Sequence, residues 1–368
     1  VVRTPMIEIA TIGAGGGSIA HVDAGGLLAV GPESAGSRPG PVCYGQGNDR
    51  PTLTDANVVL GRINAEKPIG GKLARLDVEA ARAAILTHVG DKLGLAAEPA
   101  AEAILRVANA RMAGAIRLVS VERGHDPAKF VAVPFGGGGA LHVGALIREA
   151  GLKGALVPRY PGIVSALGCI IADIRTDKVE TVNLSLGGLD AGALAARMVA
   201  AAAGTRGVAE LAGLAIERID VLHELDMHYQ GQTHTVAAEL PAGRTPDEAT
   251  VREAFETAYR KAFSRLLPGI PIRIVNLRTA AIGRRPPFDL KALAPEGGSL
   301  ESARRGVRRV WFDGGWREAT IWDRLALPVG ALVEGPAILE QPDATTVLDP
   351  GLGARVDSFG NLLVERLS

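Results

Sequence analysis

Aromatic residues make up only 4% of this 368-residue sequence, and there are two cysteines, Cys43 and Cys169. Two cysteines far apart exclude a disulfide framework and any metal-type Cys spacing. Reduced structural thiols in a cytoplasmic protein are the expectation. An excess of one charge is also missing: 40 Lys and Arg balance 40 Asp and Glu, with no basic block. That balance argues against a nucleic-acid or anionic-membrane partner. No apolar run approaches the ~20 residues of a membrane-spanning helix, and no signal peptide is visible. There is no Gly-Lys-Ser/Thr of a Walker loop and no Gly-x-Ser-x-Gly elbow with a paired His and Asp, so neither P-loop chemistry nor serine hydrolysis is supported.

What the sequence has instead is glycine, 47 residues of it, within a 47% hydrophobic composition. An Ala/Gly/Val/Leu-rich chain of this length predicts an α/β enzyme with close backbone packing and two or three domains. The chain opens on Val1, already in what reads as the approach to a strand, which is the pattern of a fragment, a processed chain or a trimmed one. "SIAHVDAGGLLAVGP" reads as a hairpin turning at Ala24-Gly25-Gly26. "TLTDANVVLGRI" reads as a helix N-capped by Thr54 or Asp55. Helices follow over Asp77–Leu95 and along "AAEAILRVANARMAGAIRLV", where Ile104, Val107, Ala108, Met112, Ile116 and Val119 form an apolar stripe. "KFVAVPF", "GGGG", "ALHVGALIREAG" and "GALVP" form a strand–loop–helix–strand crossover. "TPDEATVREAFETAYRKAF" is a helix with Thr245 as N-cap, Pro246 at its first position and Glu248 closing a capping box. After Pro286 come a polar linker and short strands.

The two glycine runs differ in context. Gly15, Gly16, Gly17 and Ser18 follow an apolar stretch but precede a hairpin rather than a helix. Ser18 stands where a dinucleotide fingerprint needs its third glycine, so a tight backbone crossing beside a cleft is the preferred reading. Gly136, Gly137, Gly138 and Gly139 lie between a strand and a helix, the setting in which glycine lets a ligand approach backbone. Close helix–sheet packing is the alternative. His142, in the first turn of that helix, is expected to be neutral because the positive helix end disfavours imidazolium.

Other candidates carry two readings each. His125 and Asp126 in "ERGHDP" form an acid–base pair or an ordinary Asp-Pro turn. Asp55 binds Mg²⁺ or acts as a base, or it caps a helix. Asp226, His228, Gln232 and His234 share one face of an unbroken strand and could ligate a metal; a polar strand face is the default.

"TIGAGGGSIAHVDAGGLLAVGPESAGSRPGPVCYGQGNDRPTLTDANVVLGRIN", "ANARMAGAIRLVSVERGHDPAKFVAVPFGGGGALHVGALIREAG", "VPRYPGIVSALGCIIAD", "YQGQ", "VNLRTAAIG" and "GPAILEQPDATTVLDPG" together resemble the hydantoinase A/oxoprolinase family, nearly end to end. The resemblance implies part of an actin-like (sugar kinase/Hsp70-type) ATPase fold over residues 1–175, followed by an α+β domain over 176–368. It implies ATP-dependent activation of a substrate carbonyl oxygen by phosphorylation, then hydrolysis of a cyclic amide or carboxylation of a ketone. A docking or regulatory fragment is a third reading. It also implies an oligomer with a hydantoinase B-like partner subunit. "FGGGGALH" matches the family's late glycine motif, usually "FGGAGPLH", from which Gly138 and Ala140 depart. That match puts Gly136–Gly139 and His142 against a nucleoside, and Gly15–Ser18 along the substrate cleft. The family's two Asp-Gly-Gly-Thr phosphate loops are expected upstream of Val1, so ATP and Mg²⁺ would be held with residues outside this sequence.

Overall fold

The computed structural model describes residues 9–295 and 297–367. The strand approach expected at Val1 lies, up to Glu8, outside them. The described chain divides into two compact units, one built from residues 9–167 and 289–367 and the other from 168–288.

The larger unit begins with the hairpin that its alternation predicts. Strands β1 (Ser18–Val22) and β2 (Leu28–Ser34) pair antiparallel. In the turn, Asp23 Oδ1 accepts from the N–H groups of Gly25 and Leu27 at 2.8 and 3.0 Å. Helix α1 (Leu53–Val59) starts earlier than expected. Its N-cap is Thr52, in extended conformation, and Asp55 is the third helical residue that closes the capping box. Helix α2 (Val78–Ile85) is capped by Asp77 and passes into a wide turn over Leu86–Gly90. Helix α3 (Ala97–Val119) buries Ala101, Ile104, Leu105 and Ala108 against Leu53, Ala56 and Val59 of α1. The crossover then appears as predicted: β3 (Val131–Ala132), a single helical turn at Gly136–Gly139, α4 (Val143–Glu149) and β4 (Gly154–Val157), with β3 and β4 parallel.

The smaller unit comprises β5 (Ile174–Ser185), α5 (Ala191–Glu210), β6 (Arg218–Tyr229), β7 (Val236–Glu239), α6 (Glu248–Phe263) and β8 (Ile272–Arg284). Its sheet has the order β5-β8-β6-β7, antiparallel throughout. Val251 and Phe255 of α6 and Leu194 of α5 pack with Leu225, Met227 and Leu277 of the sheet. The N-cap of α6 is Asp247, whose side chain accepts from Thr250 N–H; Thr245 and Pro246 precede the helix.

The remaining strands return to the larger unit. They are β9 (Arg304–Phe312), β10 (Gly315–Asp323), β11 (Leu332–Glu334), β12 (Ala337–Gln341), β13 (Ala344–Leu348), β14 (Leu352–Val356) and β15 (Leu362–Arg366). They give one sheet of order β13-β12-β10-β9 and another of order β11-β14-β15-β4-β3. Strand β15 pairs with β4 through Leu362 opposite Val157. The sequence reading cuts the chain once, at 175/176. In space the compact units change at 167/168 and again at 288/289, because β15 takes its hydrogen-bond partner from the first half of the chain.

Candidate functional site

The two glycine runs, far apart in sequence, line one cavity of about 490 Å³ in the larger unit. Gly15 and Gly16 form one part of its wall and Gly137, Gly138 and Gly139 another. Leu53, Thr54 and Asn57 of α1, Met112 of α3, Tyr44 and His142 complete much of the rest. The volume is in the range of small-molecule sites, about 300–1,000 Å³. Among the described residues the lining contains no Asp, Glu, Lys or Arg.

The first glycine wall follows from a backbone crossing. A Cβ on Gly13 would stand 2.7 Å from Pro32 Cα, and one on Gly31 would run into the Gly13 carbonyl. Only glycines let these strands of backbone cross so closely. Beyond the crossing, Ser18 and Gly15 close a turn: Gly15 N–H donates to Ser18 Oγ and Ser18 N–H to Gly15 O, both at 2.9 Å. Ser18 and Gly17 therefore support the loop, while Gly15 and Gly16 face the cavity. On the second wall Gly136, at φ +77°, starts the turn and stays off the cavity. A Cβ on Gly138 would meet nothing within 4 Å, so the backbone there is open for a ligand.

His142 is buried at the N-cap of α4. Its Nδ1 lies 2.8 Å from Asn109 Oδ1, and Asn109 is itself buried on α3. An amide oxygen can only accept, so Nδ1 carries the proton and Nε2 keeps its lone pair. Burial, then the nearby Arg62 guanidinium, pushes the imidazole pKa down to about 4. The ring is neutral, as expected, but desolvation is the first cause. Asn57 also lines the cavity; its Nδ2 donates to Leu53 O at 2.9 Å and its Oδ1 has no partner.

Three expected catalytic residues lie elsewhere. Asp55 is fully buried and does not line the cavity. Its carboxylate accepts from Val42 N–H, Cys43 N–H, Thr52 N–H and Thr52 Oγ1 at 2.8–3.1 Å. Those four donors occupy both oxygens, so Asp55 caps α1 and ties the 42–43 loop to it. His125 is exposed and stacks edge-on against Phe130. Asp126 is exposed and caps the turn at Pro127–Lys129 through Ala128 N–H. The pair lies at an Asp-Pro turn and does not line the cavity.

The strand-face metal reading fails on its own partners. Asp226 is held by Arg278 Nε and Asn276 Nδ2, both at 2.8 Å, and the β6 register shifts between Asp226 and Met227. Gln232 donates to Tyr259 Oη, and His228 Nδ1 lies 2.7 Å from Tyr229 O. Among the described residues no group of three His, Cys, Asp or Glu side chains is placed to hold a metal ion. No helix among them is long and apolar enough to cross a membrane.

Sequence reasoning missed Asn57 and Asn109. The available signal was positional: Asn109 stands four residues from both Leu105 and Ala113, a polar residue inside a buried row of α3.

Residues 1–178 match the hydantoinase/oxoprolinase family and residues 205–365 match the hydantoinase/oxoprolinase C-terminal domain. The chain belongs to the hydantoinase/oxoprolinase family. Among its relatives, an uncharacterized protein of Methanocaldococcus jannaschii is 40% identical over 99% of this chain and 52% of that protein. Caprolactamase subunit alpha of Pseudomonas jessenii is 34% identical over 97% of this chain and 52% of that subunit. The crystal structure of that ATP-dependent caprolactamase matches with a TM-score of 0.80, covering 99% of this chain and 54% of that one. A nucleotide-free structure from ATP-dependent acetone carboxylation matches with a TM-score of 0.80 at 25% identity, covering 97% and 52%. The chain thus spans about half the length of the curated relatives it matches.

Proposed function

We propose that this family member is part of an ATP-dependent enzyme that opens a cyclic amide, and that its cavity seats the adenosine end of ATP. The observation that carries the reading is the convergence of Gly15–Gly16 and Gly137–Gly139 on one uncharged cavity. A flat, largely apolar base suits exposed backbone and aliphatic walls. A triphosphate does not suit them, because the lining offers no cation; nor does Mg²⁺, because it offers no carboxylate. The phosphates and Mg²⁺ would therefore be held by residues outside this cavity, as an actin-like ATPase arrangement with upstream phosphate loops requires. In the reaction, the terminal phosphoryl group of ATP moves to the amide oxygen and leaves ADP. Water then adds to the activated carbon and the ring C–N bond breaks, the nitrogen leaving protonated as the amine, and a second water hydrolyses the resulting acyl phosphate to carboxylate and phosphate. Family members and relatives that act on lactams and oxoproline-type rings support this choice.

A second reading is supported by the acetone carboxylase likeness, in which bicarbonate and a ketone replace water and the amide. Two relatives, caprolactamase subunit alpha and an acetone carboxylase beta subunit, are named as subunits, which supports a hydantoinase B-like partner and an oligomer. The test is ATP hydrolysis by the intact parent protein, with its partner subunit, across hydantoins, lactams and ketones. Stimulation by a lactam or hydantoin without bicarbonate supports ring opening. Stimulation only by ketone plus bicarbonate moves the assignment to carboxylation. No stimulated hydrolysis by any of them overturns both.

A further inference from the structure

His142 and Asn57 both line the cavity; Asn57 Oδ1 is buried without a partner, and the hydrogen bond of the His142 ring to protein is made through Nδ1, which leaves Nε2 as its acceptor. The donor edges of both side chains are already engaged. His142 Nδ1–H is turned to Asn109 Oδ1 at 2.8 Å, and Asn57 Nδ2 to Leu53 O at 2.9 Å. A buried acceptor without a partner, as at Asn57 Oδ1, calls for a donor, since leaving it empty is destabilising. Asn109 has only one evident task on α3. It sits in an otherwise apolar row and holds the imidazole tautomer.

We infer that Asn109 is a positioning residue that locks His142 as the Nδ1–H tautomer, so that the cavity reads a hydrogen-bond donor on its ligand. This deepens the adenosine reading and rests on it for the ligand. The donor is the 6-amino group of the base or a ribose hydroxyl, and phosphate oxygens are turned away from this corner. The charged group acting on His142 is Arg62; Asp349 and Glu102 in turn act on Arg62, and Asp349 is paired with Arg148 at 2.7 Å. None of these is a carboxylate on the imidazole itself, so the neutral state is not challenged near pH 7.

The first test is ¹⁵N NMR of the imidazoles in the 368-residue chain, with His142 assigned by loss of its signals in His142→Gln. The expected result is a protonated Nδ1 and an unprotonated Nε2 from pH 5.5 to 8. Asn109→Leu should mix the tautomers. Asn109→Asp, nearly isosteric, should raise the pH at which His142 protonates. A protonated Nε2 in the native chain, or an unchanged tautomer in Asn109→Leu, overturns the inference. The second test is calorimetric titration with adenosine, purine riboside and 2′,3′-dideoxyadenosine. Native binding should be flat over that pH range, whereas Asn109→Asp should bind adenosine about tenfold more weakly as its imidazole protonates, the loss of one hydrogen bond. Weakening with purine riboside assigns the donor to the amino group, and weakening with the dideoxy compound assigns it to the sugar. Equal binding of all three ligands overturns the donor-reading role. Should adenosine not bind, the nucleotide reading fails, and the tautomer result still decides the role of Asn109.

Discussion

Replacing Asp55 separates structural anchoring from catalysis. In Asp55→Ala the N–H groups of Val42, Cys43 and Thr52 lose their acceptor inside a fully buried site, and α1 loses its capping box. A buried N–H left without a partner costs about 1–3 kcal/mol and a lost cap about 1 kcal/mol. The expected destabilisation is about 4–10 kcal/mol, which rivals the whole stability of a typical domain. In Asp55→Asn one oxygen becomes an amide that faces donors. Oδ2 takes three of the four hydrogen bonds, so the amide can at best replace Oδ1 opposite Cys43 N–H, at a cost of about 2–3 kcal/mol. The assay is urea unfolding followed by tryptophan fluorescence. Trp311, Trp316 and Trp322 all belong to the larger unit, so the signal reports the unit that contains Asp55. The anchoring role is refuted if Asp55→Ala unfolds within about 1 kcal/mol of the native chain, a difference typical of surface positions.

Other outcomes follow from the same geometry. Gly138→Ala should leave urea stability within about 0.5 kcal/mol, since its Cβ has open space, yet weaken adenosine binding by intruding on the cavity. Gly16→Ala should be less stable by about 1 kcal/mol, because its Cβ would stand 2.8 Å from Thr54 Oγ1 and force that side chain to move. His142 has a folded-state pKa pushed down to about 4, against about 6.5 unfolded. Its contribution is therefore full above pH 6.5 and is lost as pH falls from 6.5 towards 4, because the unfolded chain takes up the proton first. His142→Gln should flatten that acid limb in urea midpoints measured from pH 4 to 7. Burial pushes the Cys43 thiol far above its ordinary value, whereas Cys169 is exposed. Thiol titration of the native chain should label Cys169 and reach Cys43 only after denaturant is added.

Several elements were legible before any fold was known, because they depend on neighbours in sequence. Alternation and an Asp-Ala-Gly-Gly turn specify the β1–β2 hairpin, and the strand–glycine–helix–strand order specifies the β3–α4–β4 crossover. Helix starts were off by two or three residues at Thr52 and by two at Asp247, where several capping residues compete and side-chain geometry chooses among them. The roles of Asp55, His125 and Asp126 could not be read locally. A carboxylate in "TDAN" has the same composition whether it meets a metal or four protein donors, and only packing supplies the donors.

The sequence alone determined the family motifs and the glycine content, since these are properties of residue type and order. Tertiary structure decided that Gly15–Gly16 and Gly137–Gly139 face one another's cavity, that β15 joins β4, and that Asn109 meets His142. Each of those contacts joins residues well separated along the chain. Burial and hydrogen-bond geometry select such partners from many that the sequence permits, and no local periodicity encodes the choice.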